Sequence, residues 1–378
     1  MKKLYILILV ALATLSSTAQ IVNIPDANFK AYLLYNVDTN NDGEIQESEA
    51  VAVTNTLWLN DLSISDLTGI NAFINIERLY CNNNQLTSLD VSNLHNLTNL
   101  RCSNNQLTSI TFSSSVNLER LECDYNQLNT LNIPGTTDYF ILYAGHNQIT
   151  EATINFSSIV EGIDLSYNNL TSFTIANVLS YDGFNLNHNQ LSDLQITNCE
   201  FDYLLVSYNN LSSIQFNGDI TINYGAAFNN NQFSDFDLTG VNFGYTSTIY
   251  LGNNVVDKLP TGISPGNISY SSNNTSFDLG DYSRYSSCDP DNVGNVEIFD
   301  SPNLQTLILK NGFNHTYITC NEGGTVFQNP ALDLSITNCP NLSFICVDEG
   351  ERASIQSSVN LIGLGNQIEV NSYCSFVP

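Results

Sequence analysis

The stretch Leu100-Arg-Cys-Ser-Asn-Asn105-Gln-Leu107 is matched 21 residues later by Leu121-Glu-Cys-Asp-Tyr-Asn126-Gln-Leu128 and 21 residues earlier by Leu79-Tyr-Cys-Asn-Asn-Asn84-Gln-Leu86. Two more copies follow, Leu142-Tyr-Ala-Gly-His-Asn147-Gln-Ile149 and Ile163-Asp-Leu-Ser-Tyr-Asn168-Asn-Leu170. Aligned on the asparagine, the series continues through Asn189, Asn209, Asn231, Asn254 and Asn273, at spacings of 21 five times and then 20, 22, 23 and 19. A period of this length marks a stack of small structural units rather than a set of globular domains.

Within each unit, apolar residues two apart describe a short strand with one face inward, and the apolar residue two after the asparagine closes the coil. The asparagine sits at the corner, where its amide can satisfy backbone groups left unpaired as the strand bends away. Segments between strands, such as Thr87-Ser-Leu-Asp-Val-Ser92, are too short and too rich in Ser and Thr for a full helix, so the opposite side should be helix-poor. A single coil cannot bury its own apolar face, and the ends of the stack need caps. The expected organisation is therefore a signal peptide over 1–19, a helical N-terminal cap over 20–56, regular repeats over 57–280, and degenerate repeats with a C-terminal cap over 281–378. An irregular first coil runs from Leu57 to Ile70, and apolar turns at Leu304-Gln-Thr-Leu-Ile308 and Leu332-Asp-Leu-Ser-Ile336 follow the series.

This pattern resembles the bacterial leucine-rich repeats of internalin type, in particular the 21-residue variety with Cys in the strand. The likeness is strong over residues 57 to 280. The opening phrase Ile24-Pro-Asp-Ala-Asn-Phe-Lys30 and its acidic loop are similar to secreted repeat proteins of the Bacteroidetes. The resemblance implies an α/β leucine-rich-repeat solenoid with a curved parallel sheet on a concave side, and a binding rather than a catalytic role.

Residues Asp38-Thr-Asn-Asn-Asp-Gly-Glu-Ile-Gln-Glu-Ser-Glu49 match the EF-hand loop template at every constrained position. Asp38, Asn40 and Asp42 would offer side-chain oxygens, Glu44 its backbone carbonyl, Gln46 a water-mediated contact and Glu49 a bidentate carboxylate, with Gly43 at the turn. Pro25 and Asp26 open a short helix carrying Phe29, Tyr32, Leu33 and Asn36, and Glu47 to Val53 can form the exiting one. Calcium is the ion this donor set suits, in a structural role beside the first coil. A solvated acidic turn that holds no metal is the alternative.

Cys81, Cys102 and Cys123 occupy the same inward position of consecutive coils, where three equivalent side chains point the same way. They read as buried free thiols serving as small apolar residues. Cys199, Cys288, Cys320, Cys339, Cys346 and Cys374 fall outside that ladder. Cys346 and Cys374 are the preferred disulfide, because both lie in the C-terminal cap, whose core is thinnest. His95, His146, His188 and His315 are scattered, and no CxxC pair suggests zinc.

Two lysines, Lys2 and Lys3, an apolar run from Leu4 to Leu15 and the small residues Ser17-Thr18-Ala19 describe a secretory signal peptide. No later stretch approaches the roughly 20 apolar residues of a membrane helix. Loss of Lys2 and Lys3 shifts the formal charge from -27 to -29, leaving 8 Lys and Arg against 37 Asp and Glu. Nucleic acid and anionic membranes would be repelled. The chain is expected to be secreted or held at the cell surface, and monomeric.

Alternation turns Arg78, Tyr80, Arg101, Arg120 and Tyr143 outward on the sheet, with Tyr203, Leu205, Thr248 and Tyr250 further along. Three of the few cations gather there among aromatics, a composition suited to a protein or glycan partner; the bland reading has the arginines balancing Glu77, Glu119 and Glu122. A positioned nucleophile with its base, paired pocket carboxylates or a catalytic metal would mark an enzyme, and the sequence offers none. A surface-layer or spacer protein and a non-catalytic module of a secreted enzyme are the competing readings.

Overall fold

The computed structural model describes residues 20–234, 237–244, 247–259, 267–271, 274, 276–278, 295–309, 318–322, 325–329, 333–361 and 363–374. The expected signal peptide, Asn273, Cys288 and His315 lie outside the described residues, as does the Cys320 side chain. Two compact units form: residues up to Asn126 together with Ile133–Gly135, and Gln127–Asn132 together with Thr136 onward. Each is a parallel β-solenoid. The division falls inside the repeat series, away from the boundaries at 56 and 280 that the repeat pattern suggests.

The first unit opens with the helix Ala27–Asn36, capped by Asp26. One Asp26 carboxylate oxygen accepts from the N–H groups of Asn28 and Phe29 at 2.9 and 3.0 Å. The other accepts from the Ser65 N–H at 2.8 Å and its hydroxyl at 2.9 Å, so one side chain both starts the helix and fastens it to the first coil. Phe29 and Leu33, four apart on one helix face, are fully buried. A short helix, Glu47–Ala52, follows, and Glu49 accepts from the Gln46 N–H at its start. The sheet then runs Thr56–Trp58, Arg78–Tyr80, Asn99–Arg101, Leu118–Glu122, all parallel.

In the second unit the parallel order is Thr136–Tyr143, Ile159–Asp164, Leu179–Asn185, Asp193–Leu205, Gln215–Ala227, Thr248–Tyr250, Asn267–Tyr270, Asn295–Phe299, Asp333–Thr337. A further parallel sheet joins Ser276–Asp278, Thr306–Ile308, Phe344–Cys346 and Glu369–Asn371 and closes the C-terminal cap. That cap also carries a helix, Arg352–Leu361, which buries Ile355 and Val359. The side opposite the main sheet is helix-poor as expected, yet it is not irregular: Leu89–Val91 pairs with Ile110–Phe112.

Cores are built from the repeated apolar positions. Leu79, Cys81 and Leu86, Leu100, Cys102 and Leu107, and Leu121, Cys123 and Leu128 are all fully buried. Burying such a Leu contributes roughly 1.5–3 kcal/mol each. In the second unit the cysteine position becomes Ala144, Leu165, Leu186, Val206 and Phe228, and rings such as Phe184 against Phe201, 5.8 Å apart, fill the interior.

The corner asparagines form a hydrogen-bonded ladder. Asn126 donates to the Cys102 carbonyl at 3.0 Å and the Cys123 carbonyl at 3.1 Å and accepts from the Leu107 N–H at 2.9 Å. Asn168 repeats this with Ala144, Leu165 and Ile149, and Asn189, Asn209, Asn231 and Asn254 do likewise. The residue before each is left-handed, with φ between 52° and 57° at Asn83, Asn104, Tyr125, His146, Tyr167, His188, Tyr208, Asn230 and Asn253. That turn aims the asparagine side chain inward.

Candidate functional site

Register on the first unit aligns Trp58, Tyr80, Arg101 and Glu122 in one line across four strands. Trp58 meets the Tyr80 ring edge-on with centroids 4.7 Å apart, and the Arg101 guanidinium lies 4.7 Å above the other side of Tyr80. Arg101 contacts the Glu122 carboxylate at 3.4 Å, and Arg120 hydrogen-bonds to the same oxygen. Arg78 and Arg120 flank Asn99 in the neighbouring row, and Arg78 lines a polar hollow of about 450 Å³ with Glu77, His95 and Thr98.

One expectation needs correcting. Tyr80 is only 8% exposed, because Trp58 and Arg101 cover its two sides, so it supports the surface instead of forming it. The exposed aromatic is Trp58, at 58%. It sits in the irregular first coil, where the repeat alignment does not reach; its place as the lone tryptophan was the available signal. Tyr143 belongs to the second unit, exposed on its strand face in register with Asp164.

In the acidic loop, Asp38 accepts from the N–H groups of Asn41 at 2.7 Å and Gly43 at 3.1 Å. Asp42 accepts from the Glu44 N–H at 2.9 Å, and that bond, with help from the Gln46 and Asn40 amides, lowers its pKa despite slight desolvation. Glu49 is buried; burial disfavours its charge, but hydrogen bonds from the Gln46 N–H, the Thr39 hydroxyl and the Thr39 N–H outweigh it and lower its pKa. Lys30 pairs with the Glu44 carboxylate at 2.7 Å, leaving the Glu44 carbonyl uninvolved in that contact. All the expected donors are hard oxygens, as calcium requires. Among the described residues, however, no three His, Cys, Asp or Glu side chains converge as a metal cluster. Within the loop the Asn40 amide reaches Asp42 and Gln46, and the Gln46 amide reaches Asp42.

Cys81, Cys102 and Cys123 are buried thiols outside any disulfide. Burial pushes the Cys81 thiol up to about 12, and raises Cys102, with its neighbouring cysteines adding to the effect, and Cys123. These thiols are unreactive packing groups. Cys346 and Cys374 are joined as a disulfide, with Cα atoms 5.4 Å apart. His146 and His188 prove not to be scattered. Through Tyr167 and Tyr208 they form a stack of four nearly parallel rings with centroids 4.4, 4.1 and 4.2 Å apart, all at the left-handed corner position.

Coils of 21 residues, parallel strands on one side and an asparagine ladder binding each corner to the coil before it decide the architecture. The chain is a leucine-rich-repeat solenoid. No family model and no curated protein matches the sequence. Among solved structures it is similar to the functional domain of InlJ from Listeria monocytogenes, which includes a cysteine ladder, at 16% identity over 93% of this chain and 82% of that one, with a TM-score of 0.43. It is also similar to YopM from Yersinia enterocolitica, at 15% identity over 85% and 82% of the two chains and a TM-score of 0.32. A leucine-rich-repeat protein from Bacteroides thetaiotaomicron aligns at 13% identity over 65% of this chain and 43% of that one, with a TM-score of 0.29. Among the described residues of this solenoid no helix is long and apolar enough to cross a membrane.

Proposed function

We propose that this leucine-rich-repeat chain is a binding scaffold, secreted or held at the cell surface, that takes a protein or glycan partner on the outward face of its strands. The observation that carries this reading is the line Trp58, Tyr80, Arg101, Glu122. An exposed tryptophan is held by a buried tyrosine, which an arginine covers from the other side, and the arginine is oriented by a carboxylate. Tryptophan, tyrosine and arginine are the side chains that dominate binding energy at interfaces, and here they are arranged before any partner arrives. A pull-down or glycan screen with the secreted protein, repeated for Trp58→Ala and Arg101→Ala, tests it. Partner capture lost in both variants supports the reading; capture unchanged in both removes this face from it.

Calcium belongs to the same proposal as the stabiliser of the N-terminal cap. Asp38, Asn40, Asp42 and Glu49 would hold it by side-chain oxygens, Glu44 by its carbonyl and Gln46 through water. The ion would supply the positive charge that the three carboxylates among these donors lack. Calorimetric titration of residues 20–378 with calcium, with and without Asp38→Ala, is the test. One saturating site that raises the melting temperature and vanishes in the variant supports it, by about 2.7 kcal/mol at a hundredfold excess over Kd. Absence of heat and of any shift leaves an acidic turn.

A further inference from the structure

The second unit presents a different strand face. Ile141, Gly162 and Gly183 are in register on successive strands, and Tyr203, Gly225 and Thr248 on the next three. Three of these six outward positions are glycine, a residue that weakens strands. None of the three has a left-handed φ. Nor does crowding require glycine at 183, where an added methyl would meet the Tyr203 Cβ at 3.7 Å and its carbonyl oxygen at 4.0 Å, both ordinary contacts. What glycine provides at 183 is room: a half-buried step of bare backbone between the Asp182 and Tyr203 side chains, the setting in which another chain can approach closely.

Tyr203 forms one wall of the step. Its ring passes over Gly225, 3.3 Å from where a methyl on that residue would stand, so its outer face is turned to solvent. Tyr224 leans against it with centroids 5.8 Å apart. On the other side the Asp182 carboxylate covers the buried Gly162, 3.3 Å from where a methyl on it would stand, with the exposed Glu161 on the neighbouring bulged strand. Between Gln127 and Asp257 the sequence holds twelve Asp and Glu and not one Lys or Arg. Among the described residues of these six strands no Lys or Arg therefore competes for these carboxylates or for the exposed tyrosine ring.

We infer that this face binds a basic polypeptide segment: its backbone enters the step over Gly183, and a Lys or Arg side chain lies on the Tyr203 ring with its charge shared between Asp182 and Glu161. An aromatic face with a carboxylate at its edge is the arrangement that favours a cation. A neutral glycan would use the ring and leave the charge idle, and an anionic glycan would be repelled. The inference rests on the proposed reading of the strand face as the binding surface, but it concerns another unit and the opposite charge from the Arg101 line.

The test is fluorescence anisotropy on the secreted protein, using a labelled peptide of alternating Arg, Lys and Gly, a matched peptide with Gln for each cation, and maltohexaose as the sugar probe. The basic peptide should bind, more weakly as salt rises, and the Gln peptide should not. Gly183→Val and Tyr203→Ala change no charge, and each should weaken binding at least about fivefold. Gly183→Val should do so without lowering the melting temperature, since a β-branched residue suits a strand. Glu161→Gln with Asp182→Asn should weaken binding and flatten its salt dependence, while Arg101→Ala should leave it unchanged. Equal affinity in Gly183→Val and Tyr203→Ala would mean general attraction to an acidic protein and would overturn the inference. Maltohexaose binding lost in Tyr203→Ala, with no peptide binding, would also overturn it but leave the strand face as a binding surface. Should no probe bind, the inference fails while the Trp58 and Arg101 variants still decide the wider reading.

Discussion

Asn126 donates its side-chain amide across the coil boundary to the carbonyl of Cys102, at 3.0 Å, and is itself only 8% exposed. Removing that amide leaves the carbonyls of Cys102 and Cys123 and the N–H of Leu107 without it in a dry interior. Each orphaned buried group costs about 1–3 kcal/mol. Asn126→Ala should therefore lower stability by roughly 2–4 kcal/mol in urea unfolding. Asn126→Asp should do comparable harm at neutral pH, since a carboxylate cannot donate to either carbonyl. A variant as stable as the parent would show that the ladder is decoration.

The thiol ladder predicts a one-sided pH response. An unfolded thiol ionises near about 8.5, whereas burial holds Cys81 protonated up to about 12. The folded pKa is raised, so the stability linked to it is complete below pH of about 8.5 and is lost as pH rises towards the folded value. Alkaline unfolding should be delayed when Cys81, Cys102 and Cys123 are together replaced by Ala. In the native protein at pH 8, a thiol reagent should leave all three unlabelled, and denaturant should release them. Rapid native labelling would contradict their burial.

Asp26 carries the opposite dependence. Burial works against its charge, yet hydrogen bonds from Phe29, Ser65 and Asn28 prevail and lower its pKa. Its contribution is present above the ordinary carboxylate range and is lost as pH falls through the lowered value. Asp26→Ala should cost about 1 kcal/mol from the helix cap alone, and more if the tie to Ser65 counts. Hydrogen exchange localised to Ala27–Asn36 and the Ser65 turn would check it; an unchanged pattern there would disprove the double role.

At the other end, the Cys346 to Cys374 link spans a sequence separation of 28. Chain-entropy reasoning gives such a closure roughly 3.5 kcal/mol. Replacing both cysteines with Ser should loosen the strand Glu369–Asn371 and the helix Arg352–Leu361 before the repeats, visible as proteolysis confined to the C-terminal cap. Cleavage spread evenly over the chain would count against that.

Legibility in the sequence followed from whether a position faces the same physical problem in every coil. Asn84 through Asn254 and their leucines do, and their roles could be read directly. Trp58 could not, because its coil has no regular copy to align with. Tyr80 differs from its alternation pattern for a related reason: alternation gives direction, but whether a neighbour covers the ring depends on the strands beside it. The His146 to Tyr208 stack was hidden because the position before each corner asparagine varies between Asn, Tyr and His, and only the shared left-handed turn makes those residues equivalent. The helix Arg352–Leu361 had a usable signal in Ile355 and Val359, four apart. In the acidic loop the sequence supplied the donors, while the amides of Asn40 and Gln46 decided how they are arranged.

Among the described residues, the corner asparagines bond to their own coil and to the one behind it. Length is therefore a free variable for this architecture, provided that it changes in whole turns. A duplicated or deleted stretch of 21 residues finds the same sockets at both seams, whereas a single inserted residue at a corner misses them. A gene of this kind can lengthen or shorten its product by recombination between near-identical segments, and each new turn brings a fresh row of outward side chains on a frame that needs no redesign.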